Sequence, residues 1–261
     1  MKAVILAGGK GTRISEESKS RPKPMVEIGR KPILWHIMKI YETYGITEFI
    51  VCCGYKGHMI NEFFVNYNAS CNDVCVNLDN ETVSFFGDRA ENWKVTLVHT
   101  GVETLTAGRL LKVREYLGTE SFMLTYGDGV ADIDLDALLR FHRKEGRILT
   151  ISTTRPEGRF GTLKLNDKDN MVEGFKEKAR EDQSWVNIGF MVMEPEIFRY
   201  LGDGGSMLET EAFERLAAEG QMAAYRHDGF WSPMDNIHDR DYLEGLWSSG
   251  QAPWKERHRY A

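Results

Sequence analysis

Apolar and polar positions along the chain fall into two textures. Residues 2–7 (KAVILA) are a short apolar run ending at Gly8-Gly9, the pattern of a buried parallel strand entering a glycine loop. From 33 to 44 apolar side chains recur at Ile33, Leu34, Ile37, Ile40, Tyr41 and Tyr44, with Pro32 before them and Gly45 after. That spacing predicts a helix with proline at its start and glycine at its end. EFIVCC at 48–53 reads as a strand, and 58–67 as a helix with Met59, Ile60, Phe63 and Phe64 on one side. Strand, loop, helix, strand, helix predicts an α/β fold: a mainly parallel twisted sheet covered by helices.

Residues 68–93 break the rhythm. They are polar and rich in Asn and Asp, with one β-like piece from Thr82 to Phe86, and they predict an excursion from the core, a lid or a subunit contact. Strands at 94–99, 121–126 and 147–152 and helices near 107–116 and 134–145 restore it. Beyond Thr153 the texture changes to short β-like pieces near 161–165, 171–176 and 185–193. A helix near 207–219, the strand QMAAYR and a helix near 238–249 follow. The expected organisation is an α/β core over 1–153 and a smaller β-rich part of the same domain over 154–261.

Composition narrows the function without choosing it. With 261 residues, 42% hydrophobic and 28% charged, the chain is not disordered. Its net charge of −6 offers no basic footprint for nucleic acid, so an anionic ligand would need a local pocket of positive groups. No apolar run approaches the roughly 18 residues of a membrane span, and the apolar start is too short for a secretory signal. The expectation is a cytoplasmic protein with reduced thiols. Cys52 and Cys53 are strand neighbours and point to opposite faces. Cys71 and Cys75 lack partners at zinc spacing.

The sharpest local signal is Leu6-Ala7-Gly8-Gly9-Lys10-Gly11-Thr12-Arg13. Three glycines directly after a strand let backbone N–H groups approach an anion. Arg13 and Lys23, the latter within Arg21-Pro22-Lys23-Pro24, add positive charge; the prolines stiffen what is expected to be an exposed loop. The run lacks the Gly-Lys-Ser/Thr ending of a P-loop. It also fails the dinucleotide fingerprint, because the third glycine position is Ile14. A plain glycine turn remains the bland alternative.

Two acidic positions draw attention. Asp128, in Tyr126-Gly127-Asp128-Gly129, follows an apolar strand, and ligands of open α/β sheets sit at the carboxyl ends of strands. A carboxylate there suits Mg²⁺. Asp132, Asp134 and Asp136 read as helix-start charges. Asp235 sits far along the chain in an aromatic-rich turn, FWSPMD. His36, His58 and His99 have no triad or metal spacing and read as structural.

LAGGKGTR followed by RPKP resembles the sugar-nucleotide pyrophosphorylases, nucleotidyltransferases that act on sugar 1-phosphates. The resemblance continues through KPILWHIMKIY, CCGYKG, TYGDGVADID, GRFG, GF-x-EK, YRHDGFW-x-PMD and LW-x-SG-x-APWK. It implies a nucleotide-binding core and a sugar-binding second part. It implies Arg13 and Lys23 as catalytic residues, and a nucleotide site from Leu6 to Arg13 with Lys23, Thr104, Gly108, Arg109 and Asp128. Gly161, Glu177, Lys178, Asn187 and Gly189 are implied on the sugar side, and Asp128 with Asp235 as Mg²⁺ ligands. The implied substrates are CTP and glucose 1-phosphate, in a homo-oligomer whose product feeds dideoxyhexose pathways for surface polysaccharide. The sequence departs from close relatives at Ala179 and Ile188, both on the sugar side. Thymidylyl and uridylyl relatives place a base-reading Gln near 101–109; here that segment has none, which favours cytosine, read by backbone groups around Thr104 to Arg109. Two alternatives stay open: the same chemistry on another sugar phosphate, and a silent relative that binds sugar nucleotides as a regulator.

Overall fold

The computed structural model describes residues 1–11, 20–87, 91–156, 162–165, 172–176 and 184–256, with 162–165 and 172–176 as backbone. Its strands run in chain order. The first seven are β1 (Lys2–Ala7), β2 (Glu27–Ile28), β3 (Lys31–Pro32), β4 (Glu48–Cys53), β5 (Asp73–Asn77), β6 (Thr82–Phe86) and β7 (Lys94–His99). Then come β8 (Phe122–Tyr126), β9 (Gly129–Ala131), β10 (Leu149–Thr154), β11 (Thr162–Leu165), β12 (Val172–Lys176), β13 (Val186–Met193), β14 (Met222–Arg226) and β15 (Trp231–Pro233).

Seven of them form one sheet in the order β14-β10-β13-β8-β1-β4-β7. The pairs β8–β1, β1–β4, β4–β7 and β10–β14 are parallel; β13 is antiparallel to both neighbours. The chain after Thr153 therefore returns twice to the same sheet, as β13 and β14. Side chains of β1 alternate as a strand covered on both faces requires. Ala3, Ile5 and Ala7 join one core with the helix Ile33–Glu42, while Val4 and Leu6 join the other with the helices Thr106–Lys112 and Phe213–Ala218. Cys53 falls in the first core and Cys52 in the second. Burial pushes their thiols up to about 11 and about 12, so both are inert packing groups.

The alternating and helical patterns place most elements correctly, with instructive exceptions. The expected single helix near 107–116 is two pieces, Thr106–Lys112 and Arg114–Leu117. The helix expected from 207 opens with a π-turn, Leu208–Ala212, before Phe213–Ala218. The excursion holds two paired strands rather than one, since β5 pairs with β6 as an exposed hairpin. Val76, Leu78, Val83 and Phe86 are exposed on it. Asp134 does cap its helix, accepting from the Ala137 N–H at 2.8 Å. Among the described residues no helix is long and apolar enough to cross a membrane.

His36 is structural, as expected, and buried. Its Nε2 meets the Ile28 carbonyl at 2.8 Å, and the Trp254 indole N–H donates to its Nδ1 at 3.4 Å. A carbonyl can only accept and an indole N–H can only donate. The ring is therefore neutral with its proton on Nε2, consistent with burial lowering its pKa to about 4.

Candidate active site

The site begins with strand order. β1 and β8 are parallel neighbours with Leu6 opposite Tyr126, so the glycine loop after β1 and the Gly127-Asp128 turn after β8 leave the sheet side by side. Within this sheet the next strand along the chain after β1 is β4, on one side of it, with β8 on the other, which makes this a switch point where open sheets form crevices. The Gly127 N–H donates to the Leu6 carbonyl at 3.1 Å. A Cβ on Gly127 would lie 3.1 Å from Pro24 and 3.2 Å from that carbonyl, so the two loops pack closely at this glycine.

Asp235 reaches the same place through two very short strands. β9 and β15 are antiparallel, with Gly129 opposite Pro233. Asp128 precedes the first and Asp235 follows the second, so both emerge at one end of the ladder, where the Met234 N–H donates to the Asp128 carbonyl at 2.8 Å. Asp235 is also fixed from beyond. Asn236 caps the helix Ile237–Ser248 in a capping box with Asp239, whose Oδ2 accepts from the Asp235 N–H at 2.8 Å.

Lys23 closes the triangle. It was expected in an exposed loop; instead it is buried, at 8% exposure, in a single 3₁₀ turn, Lys23–Met25, between Pro22 and Val26. Its Nζ donates to Asp128 Oδ2 and to Asp235 Oδ1, each at 2.7 Å. Burying an ammonium without partners is prohibitive, and the two carboxylates supply the partners that a sequence window around Lys23 does not contain.

Arg109 is, like Lys23, a buried cation, at 4% exposure. Its guanidinium donates to Gly8 O at 2.9 Å, Thr100 Oγ1 at 2.5 Å, Gly101 O at 2.8 Å and Val102 O at 3.3 Å. These are all neutral oxygens, and burial lowers the guanidinium pKa. One partner lies in the glycine loop and three in 100–102, so Arg109 ties the two segments together directly behind Gly8. A Cβ on Gly8 would stand 2.0 Å from Arg109 Nη1, so the glycine is required by the arginine behind it. The Thr104 hydroxyl donates to the Thr100 carbonyl at 2.6 Å. Gly108 packs against Gly204, whose carbonyl a Cβ would meet at 2.6 Å. Lys10 makes a salt bridge with Glu103 across the rim at 2.7 Å.

These groups surround a cleft of about 660 Å³ that includes Gly8, Gly9, Lys10, Thr104, Arg109, Asp128, Asn187 and Asp235. A smaller hollow of about 200 Å³ beside it is lined by Leu6, Ala7, Gly9, Gly11, Lys23 and Asp128. Asn187 accepts from the Gly189 N–H at 2.9 Å. Gly189 has φ +89°, and a Cβ there would strike the Tyr126 ring at 2.7 Å, so both shape the wall around Tyr126. Thr12, Arg13, Gly161, Glu177 and Lys178 lie outside the described residues. Sequence reasoning missed Glu209, which lines the cleft. It accepts from the Tyr126 hydroxyl and from Thr106 Oγ1, the latter at 3.0 Å. No local motif marks it.

Asp128 and Asp235 suit a hard divalent cation by chemistry: two carboxylates share one cationic group, and their side chains keep 36% and 24% exposure. Among the described residues no cluster of three His, Cys, Asp or Glu forms a closed cage, so further ligands would be water and substrate oxygens.

Comparison with known proteins places this geometry. The profile of the family described as Nucleotidyl transferase matches residues 2–239. The chain is 48% identical to the glucose-1-phosphate cytidylyltransferase of Salmonella typhimurium, over 98% of this chain and 99% of that protein. Its namesake from Salmonella typhi shows the same identity and coverage. A solved UDP-glucose pyrophosphorylase with bound UDP-glucose superposes with a TM-score of 0.67 at 16% identity, covering 95% of this chain and 98% of that one; at that identity the likeness concerns the fold.

Proposed function

The chain belongs to the nucleotidyl transferase family, and from that premise we propose that it is an enzyme making CDP-glucose and pyrophosphate from CTP and glucose 1-phosphate. The observation that carries the reading is the meeting of Lys23, Asp128 and Asp235 at the mouth of the glycine loop, in a chain 48% identical to cytidylyltransferases along nearly its full length.

The reaction needs little covalent help. A phosphate oxygen of glucose 1-phosphate attacks the α-phosphorus of CTP in line. The bond from that phosphorus to the bridging α–β oxygen breaks, and pyrophosphate leaves with the electron pair. Positioning and charge neutralisation dominate such transfers. Backbone N–H groups of Gly8 to Gly11 and the charge of Arg109 behind Gly8 hold the triphosphate, with Arg13 assigned to the same task. Lys23 moves from the two carboxylates toward the α-phosphate, a trade between two sets of anionic oxygens. Asp128 and Asp235 would hold Mg²⁺, which when bound neutralises the repulsion between nucleotide and sugar phosphate. Gly161, Glu177, Lys178, Asn187 and Gly189 are assigned to the sugar. Thr104, Gly108 and Arg109 hold the backbone of 100–109 that is assigned to the base. A homo-oligomer, with the exposed apolar residues of the β5–β6 hairpin as its contact, and a cytoplasmic location complete the reading.

The test is pyrophosphate release with four nucleotides against several sugar 1-phosphates. CTP with glucose 1-phosphate should give the highest kcat/KM. Equal kcat/KM for CTP and UTP would overturn the base assignment, and a better sugar phosphate the sugar assignment.

A further inference from the structure

Glu209 belongs to none of the groups assigned above, yet its carboxylate is held in the cleft with unusual care. Oε1 accepts from the Tyr126 hydroxyl at the end of β8, and Oε2 accepts from Thr106 Oγ1 at the start of the helix Thr106–Lys112. Thr106 Oγ1 is itself oriented, because it accepts from the Leu208 N–H at 2.8 Å. Two separate elements thus fix one carboxylate, and the segment carrying it is fixed in turn by the close approach of Gly204 to Gly108. The backbone at Glu209 belongs to the π-turn Leu208–Ala212, a distortion that recurs where a helix aims a functional side chain. Burial, reinforced by the adjacent Glu209 charge, raises the Tyr126 pKa, so the phenol stays a donor at any physiological pH.

A carboxylate has about four lone-pair sites. Two are taken by Tyr126 and Thr106, and the others remain for hydroxyl donors that enter the cleft. Asn187 and Trp231 line the same cleft as Glu209. The free acceptor sites suit a neutral O–H or N–H donor and repel a phosphate; with Asn187 of the sugar side in the same cleft, that donor is a sugar hydroxyl.

Resting on the activity proposed above, we propose that Glu209 is a specificity-determining residue that accepts a hydrogen bond from a ring hydroxyl of the substrate sugar, with Tyr126 and Thr106 as its positioning residues. Two rings in the reaction carry hydroxyls, the hexose of the acceptor and the ribose of the nucleotide. Asn187, already assigned to the sugar side and beside Tyr126, favours the hexose.

The experiment compares wild type with Glu209→Gln in pyrophosphate release, using glucose 1-phosphate against its 2-, 3-, 4- and 6-deoxy analogues, and CTP against dCTP. In the wild type one deoxy substrate should lose roughly tenfold to a hundredfold in kcat/KM, the effect of a hydrogen bond to a charged group. Glu209→Gln should lose that discrimination for the same analogue and keep it for the others. A change confined to a hexose analogue assigns the acceptor sugar, and a change confined to dCTP assigns the ribose. A structural role alone would lower all substrates equally, and that result overturns the proposal. If Glu209→Gln fails to fold, Glu209→Asp keeps the charge and retracts it, and it should show the same selective loss. An inactive wild type would overturn the activity itself, whereas an active wild type with unchanged ratios in both variants overturns only the role of Glu209.

Discussion

Lys23 and Arg109 are both buried cations, and they are held in different ways. Arg109 spends its planar fork on four neutral oxygens, one in the glycine loop and three in the segment 100–102, which makes it a tie between loops. Lys23 is a point charge on a flexible stem held by two carboxylates, so it can exchange those partners for phosphate oxygens without breaking a backbone contact. A third buried polar group, His36, is held neutral, and this has a consequence in acid. Its pKa is lowered from 6.5 to about 4 by burial. As pH falls through that window the unfolded chain takes up a proton at this ring and the folded chain does not. Stability is therefore full above 6.5 and falls by about 3 kcal/mol on the way to pH 4, then levels off for this group. Glutamine can keep a donor and an acceptor but cannot titrate. In urea unfolding at stepped pH, the gap between wild type and His36→Gln should change between pH 6.5 and 4 and stay constant above 7. Parallel curves across the whole range would show that His36 does not titrate on unfolding.

Among the elements, the short ones carry the site. β9 and β15 have three residues each, too few for any periodicity to register, yet their pairing brings Asp128 and Asp235 to one end of a ladder. The helix Ile237–Ser248 adds the outer support, because the Asn236 and Asp239 capping box also takes the Asp235 N–H. Asn236→Ala removes half of that box. It should cost about 1 kcal/mol, a fall in Tm of about 2–4 °C for a chain of this size. Because Asp235 precedes the cap directly, kcat should fall by more than a loss of folded protein explains. Full kcat with the lowered Tm would mean that Asp235 is positioned by β15 alone.

Across the whole molecule, what could be read from the sequence was what is local. The β1 run and its glycines, the helix at 33–42 and the cap at Asp134 each carry their signal within a few residues. Their places follow from periodicity and turn chemistry. The sequence around Lys23 predicts exposure because the groups that bury it lie on β8–β9 and after β15, brought together by sheet order. Glu209 was invisible for the same reason: its two donors come from β8 and from the helix after β7. The β5–β6 hairpin was half seen, since Val74 and Val76 alternate with polar residues in a stretch dominated by Asn and Asp. The family resemblance supplied Asp235, which no spacing argument could. The fold thus makes one unit of three residues remote in sequence, and kinetics can tell a unit from a set of independent contributors. Asp128→Asn, Asp235→Asn and the double variant should be compared for kcat/KM with CTP and glucose 1-phosphate across a Mg²⁺ titration. Each single variant should lose most of the activity, and the double should be little worse than either, because groups that act together are not additive. Effects that multiply, or an Asp235→Asn variant with wild-type Mg²⁺ dependence, would contradict the shared site.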